Sequence, residues 1–304
     1  MSKTISSTVP RLLQQGDQVA IIATARYANL EAVAYSQELL ETWGLVVLKG
    51  KNLFEKHYNF AGNDVQRLED LQWAMDNNEI KAIFCFRGGY GTTRILQQLE
   101  PTEFIQNPKW VVGFSDVTAL HNYLSSICNT SSVHATMPIN YQDNSAEALQ
   151  SLKNMLFHNM VEYSFAPNKM NRLGNAKGPV VGGNLAIFQS LSGTKYDTST
   201  AGKILFLEDV DEYLYNIDRM LWTLKYAGKL TNLNGLIVGG FTQQKDNEDP
   251  FGMTVEEIIL EKVSEYNYPV CFDFPAGHFN NNCALPLGIP LQLRVGKNKV
   301  ELTN

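Results

Sequence analysis

A chain of 304 residues, with 44% hydrophobic and 18% charged side chains, is long enough for one large globular domain or two of medium size. Its formal net charge of −6 and the lack of any Lys/Arg run argue against a nucleic-acid partner, because phosphate binding needs a clustered basic surface. No run of about 18 apolar residues occurs, and the first apolar stretch is too short and too far in for a secretory leader, so a cytoplasmic protein with no membrane partner is expected.

In chain order, strand-length apolar runs begin at Gln18 ("QVAIIAT"), Leu45 ("LVVLKG"), Ile80 ("IKAIFCF"), Trp110 ("WVVGF"), Lys203 ("KILFLE"), Gly235 ("GLIVGGF") and Tyr268 ("YPVCFDF"). Their near-continuous apolar character suits parallel strands covered on both faces. Helical patterns over 30–43, 64–77, 91–99, 117–127, 184–191 and 217–226 fall between them, and such alternation predicts an α/β fold. The Asn/Gly-rich stretch "FAPNKMNRLGNAKGPVVGGN" interrupts it. We therefore expect an N-terminal domain (1–165) with a mainly parallel sheet flanked by helices, a linker (166–183) and a smaller C-terminal α/β domain (184–304). The closing "LPLGIPLQLRVGKNKVELTN" alternates as a terminal hairpin would, giving that domain a β-rich end. Four cysteines, Cys85, Cys128, Cys271 and Cys283, lie far apart without metal-site or redox spacing and are expected as buried free thiols.

Three segments could carry chemistry. In "CFRGGYGTTRIL" the paired Gly88 and Gly89 follow a strand and precede a helix, leaving backbone N–H groups open to an anion or oxyanion, or simply making a tight turn. It matches neither G-x-G-x-x-G nor the P-loop spacing. In "KWVVGFSDVTAL", Ser115 at a strand-to-helix junction is either a nucleophile on a sharp elbow or, with Asp116, an ordinary helix cap. The third segment joins "ILFLEDVDEYLYNIDRML" to "FDFPAGHFNNNCALPLG", where a carboxylate and a histidine after separate strands could activate that serine. From pattern alone the carboxylate is Glu208, Asp209, Asp211 or Glu212. The base is His57, His121, His134, His158 or His278. No H-E-x-x-H, paired Cys or clustered His appears, and neither a metal nor a cofactor is expected.

Taken together, "RGGYGTTRIL", "NPKWVVGFSDVTALHNYL", "GGNLAIFQSLSGTKYD", "LFLEDVDEYLYNIDRML" and "PAGHFNNNCALPLG" resemble, in this order, the LD-carboxypeptidase family of serine peptidases, which also includes the microcin C self-immunity peptidases. The resemblance covers almost the whole chain. It implies hydrolysis of the amide between an L-centre diamino acid and terminal D-alanine in murein tetrapeptides, through an acyl-enzyme, by a homodimer. It also implies Ser115 as nucleophile, Glu208 as orienting carboxylate, His278 as general base, and the N–H groups of Gly89 and Asp116 as oxyanion hole. Gly88 and Arg87 belong with substrate binding in this reading; Arg87 would hold the substrate carboxylate or else form an interdomain salt bridge. The alternatives are an immunity-type peptidase acting on a peptidyl adenylate and a non-catalytic muropeptide-binding module. The chain departs from the family's pattern at "AIIATARYAN", which lacks a Pro-rich turn, at "VHATM" and at "HFNNN".

Overall fold

The computed structural model describes residues 7–304. All seven apolar runs form strands. In chain order the elements begin with β1 (Gln18–Ile22), α1 (Leu30–Thr42), β2 (Val46–Lys49), α2 (Asp64–Asp76), β3 (Ile80–Cys85), α3 (Thr92–Ile95), α4 (Thr102–Gln106), β4 (Trp110–Gly113), α5 (Thr118–Tyr123), β5 (Ser132–His134) and α6 (Ala146–His158). They continue with β6 (Glu162–Phe165), β7 (Gly174–Asn184), α7 (Leu185–Ser190), β8 (Ile204–Val210), α8 (Leu214–Tyr226), β9 (Gly235–Thr242), α9 (Val255–Lys262), β10 (Val270–Cys271), β11 (Leu285–Leu287), β12 (Pro290–Val295) and β13 (Val300–Thr303). The chain divides into two compact units, one running to Asn159 and including Asn280–Gly288, the other comprising Met160–Phe279 and Ile289–Asn304.

The first unit is built on a sheet of order β11-β5-β4-β3-β1-β2, in which β2, β1, β3, β4 and β5 run parallel and β11 pairs antiparallel with β5. The connection from β1 runs to β2 and that from β3 to β4, in opposite directions along the sheet, so their loops part at the carboxyl ends of β1 and β3. Burial of β4 at every position, and of β1 and β3 at all but one each, explains their unbroken apolar sequences. Helix α2 starts with a capping box between Asn63 and Gln66. At its other end the buried Lys109 ammonium donates to the carbonyls of Ala74, Met75 and Asn77, the last of which also accepts the Ile80 N–H. Burial brings this lysine's pKa down to about 8.

The second unit has a sheet of order β10-β9-β8-β7-β12-β13-β6, parallel from β7 to β10 and antiparallel beyond. Leu185 and Phe188 of α7, Ile217, Leu221 and Leu224 of α8, and Ile258 and Ile259 of α9 bury their apolar faces with Leu205, Leu207 and Val238. Strands β12 and β13 form the expected terminal hairpin. Much of the stretch read as a linker is the eleven-residue β7. Two of its glycines are places where another backbone comes close: a Cβ at Gly178 would lie 3.0 Å from the Gly202 carbonyl oxygen, and one at Gly182 would collide with the Phe206 carbonyl.

All four cysteines are free and buried. Among the described residues no helix is long and apolar enough to cross a membrane.

Candidate active site

Between Lys109 and Leu124 every residue is buried except Ser115, which is half-exposed. It comes two residues after the end of β4. Phe114 is still extended (φ −148°), and Ser115 then reverses the chain with φ at +61°, a left-handed state costing an L-residue of order 1 kcal/mol. A 3₁₀ turn over Ser115–Val117 leads into α5, whose start has no side-chain cap, so neither Ser115 nor Asp116 caps it.

The Asp116 side chain instead faces the glycine loop. Buried to 1% exposure, its Oδ2 accepts the Thr92 N–H at 2.9 Å, and Thr92 Oγ1 donates to Thr24 Oγ1 at 2.8 Å. Burial raises the Asp116 pKa; hydrogen bonds from Thr92 and the Gly91 amide, with the charge of Arg67, only partly offset it. The loops after β1, β3 and β4 are thereby tied together at one edge of the sheet.

Gly88 packs directly on the serine: a Cβ there would lie 2.9 Å from Ser115 Cβ and 3.1 Å from its Oγ. Gly89 has φ +116°, open to glycine alone, and a Cβ on it would fall 2.7–2.8 Å from Cδ, Cγ and Nε of Arg26, which therefore passes over it. The peptide joining these glycines thus runs beside the Ser115 hydroxyl. Arg87, half-buried, has its pKa lowered by burial first and then by the charge of Arg26, with Tyr27 acting in the opposite sense. It forms no salt bridge or hydrogen bond among the described residues.

The second unit prepares an acid–base pair. Glu208, near the end of β8, is completely buried, and its Oε2 lies 2.7 Å from His278 Nδ1. A carboxylate can only accept, so Nδ1 carries the proton and the neutral ring keeps Nε2 as a base. Thr242 Oγ1 donates to the His278 carbonyl at 3.2 Å, fixing the loop. Burial pushes the His278 pKa down, but the charge and hydrogen bond of Glu208, helped by the charge of Asp209, outweigh it and the net shift is upward.

The other candidates have different work. Asp209 accepts from Asn184 Nδ2 and from the Ala186 N–H at the start of α7, and burial, then the charge of Glu208, lifts its pKa to about 7. Asp211 pairs with Lys245 at 2.7 Å, and Glu212 accepts from Asn216. His121 is buried and donates Nε2–H to the Gly113 carbonyl; His134 is buried against the Phe114 ring; His57 and His158 lie at the surface. His278 is joined to the buried Glu208 carboxylate. Two features of the first unit were missed in the sequence, the Asp116 side chain as a strap and Arg26 over Gly89. The break in pattern at "ATARYAN" was the one available signal for the second.

A family profile for the LD-carboxypeptidase N-terminal domain matches residues 19–135, and one for the LD-carboxypeptidase C-terminal domain matches residues 177–293. A probable murein peptide carboxypeptidase of Bacillus subtilis is 33% identical over 284 residues, spanning 92% of this chain and 89% of that protein. The chain belongs to the LD-carboxypeptidase family. It is a serine-type carboxypeptidase, a hydrolase. A murein tetrapeptide carboxypeptidase of Pseudomonas aeruginosa is 29% identical over 89% of this chain and 91% of its own. The muramoyltetrapeptide carboxypeptidase of Oxalobacter formigenes superposes with a TM-score of 0.86 at 27% identity, over 94% of this chain and 98% of that one. The microcin C7 self-immunity protein bound to aspartyl sulfamoyl adenosine reaches the same TM-score at 19% identity over 98% of each chain, which shows a common fold.

Proposed function

We propose that this LD-carboxypeptidase hydrolyses the amide between the L-centre diamino acid and the terminal D-alanine of murein tetrapeptides, with Ser115 as nucleophile, His278 as general base and Glu208 as the group that orients it. The observation that carries this reading is the Ser115 elbow, a strained and half-exposed hydroxyl pressed against Gly88 in an otherwise buried segment. The names of the Bacillus and Pseudomonas relatives support the substrate.

In this mechanism His278 Nε2 takes the Ser115 proton as the hydroxyl attacks the scissile carbonyl, and Glu208 stabilises the imidazolium that forms. The oxyanion sits between the N–H groups of Gly89 and Asp116, supported by the close approach of Gly88 to the serine. Collapse of the tetrahedral intermediate breaks the C–N bond, and His278 returns the proton to the departing D-alanine amine. Water then attacks the acyl-enzyme with the same base. Arg87, with no carboxylate partner, is suited to the substrate carboxylate beside the scissile bond. By family resemblance the working enzyme is a cytoplasmic homodimer with its nucleophile in an N-terminal domain and its Glu and His in a C-terminal one; sedimentation reads the first point.

The test is D-alanine release from purified murein tetrapeptide by wild type and Ser115→Ala. Wild type should release it, with the variant slower by about three orders of magnitude or more. A wild type that leaves the tetrapeptide intact and cleaves a peptidyl adenylate would sink the murein reading. Binding without turnover of either would make the chain a muropeptide-binding module.

A further inference from the structure

Two arginines lie on the loops beside the Ser115 elbow, and neither has a carboxylate partner among the described residues. Arg26 follows β1 and Arg87 follows β3, so they stand on the two loops that part at the switch in strand order, where open α/β sheets bind their ligands. The Arg26 side chain lies along Gly89, and Arg87 immediately precedes the Gly88 that touches Ser115. The groups acting on Arg87 are Arg26 and the Tyr27 phenol, and no carboxylate is among them. Neither arginine makes an ion pair or side-chain hydrogen bond among the described residues, although exposed arginines elsewhere in this unit do: Arg11 is held by Asp17 and Arg94 by Asp64. Two like charges placed together without a counter-ion call for an anion between them.

We infer that Arg26 and Arg87 form a two-guanidinium clamp for the terminal carboxylate of the peptide, with Arg26 the residue that makes this chain demand a free C-terminus. The inference rests on the murein-peptide reading above. In the tetrapeptide that carboxylate belongs to the residue leaving the scissile carbonyl. An anion held within a residue or so of the Gly88–Gly89 peptide therefore sets the carbonyl against Ser115. Because the glycine turn requires no Cβ at 89, Arg26 can lie flat over it; a larger residue at 89 would push the guanidinium away.

The experiment compares wild type, Arg26→Gln, Arg26→Lys and Arg87→Gln on the tetrapeptide with a free terminal carboxylate, on the same peptide ending in a carboxamide, and on a peptide with lysine in place of diaminopimelate. Arg26 is exposed, so its replacement should not compromise folding. On the free acid, Arg26→Gln should raise KM by about 10- to 100-fold with a smaller fall in kcat, and Arg26→Lys should recover part of it. On the carboxamide wild type should be impaired to a similar degree, and Arg26→Gln should add no more than about twofold, because the shared partner has gone. An unchanged KM on the free acid overturns the clamp and leaves the murein reading standing. So does a full Arg26→Gln effect on the carboxamide. An Arg26→Gln effect that disappears on the lysine peptide assigns the arginine to the side-chain carboxylate and overturns the terminal one. A wild type inactive on every peptide overturns both readings.

Discussion

Substituting Gly88 by Ala adds one methyl group, which would lie 2.9 Å from Ser115 Cβ, 3.1 Å from its Oγ and 3.4 Å from the Asp116 nitrogen. Carbon atoms settle at about 3.5–4.0 Å, so the serine or the glycine loop must yield by roughly 0.5–1 Å. The serine is poorly placed to do so, since its φ of +61° is held by buried neighbours on both sides and by the Asp116 strap to Thr92. A nucleophile displaced by about that distance loses on the order of 100-fold in rate, whereas overpacking at such a site costs the fold only about 1–3 kcal/mol. Gly88→Ala should therefore lower kcat/KM for D-alanine release by about 100-fold while the protein still unfolds cooperatively with a midpoint only a few degrees lower. Steady-state kinetics with a thermal melt on the same preparation measures both. If kcat/KM stays within about threefold of wild type, the glycine does not confine the serine and the argument for the elbow fails.

The charge of Glu208 sustains the raised pKa of His278 against its burial, and the proposed mechanism uses the neutral imidazole, so the acid limb of kcat/KM should lie above the ordinary histidine value of 6.5. Glu208→Gln should move that limb to lower pH and reduce the plateau by about 10³-fold or more; a limb that stays in place would disconnect the two residues. Burial brings His121 down to about 4, against a bond to the Gly113 carbonyl that favours the charged ring. Its folded pKa is the lower one, so the unfolded chain takes up the proton first. The contribution is complete above about pH 6.5 and is lost as pH falls towards 4, in total about 3 kcal/mol. Urea titrations should show this slope in wild type and not in His121→Gln, and parallel slopes in the two proteins would refute it.

The strands covered on both faces could be read in the sequence because burial demands unbroken apolar runs, as in "KAIFCF" and "WVVG". The short β5 and β11 gave no such signal, since three residues cannot establish a period. Strand β7 was taken for a linker because its Gly178 and Gly182 are normally turn residues, and only the neighbouring backbone explains them. The predicted helix over 117–127 is in fact a 3₁₀ turn, α5 and a π turn ended by the left-handed Asn129 (φ +47°). At the candidate site, the serine and the glycine pair stood out by position after strands. The choice among Glu208, Asp209, Asp211 and Glu212 did not, because adjacent residues on a strand end face opposite ways and only the fold decides which one meets a histidine.

The left-handed backbone at Ser115 also bears on how such a protein can change over generations. Glycine or asparagine would occupy this conformation at lower energy than serine, so replacing Ser115 with either relaxes the turn as it removes the hydroxyl. With Ser115 as the proposed nucleophile, selection for durability alone would drift towards a sturdier and silent protein. In the proposed mechanism, the hydroxyl is what this costly conformation serves.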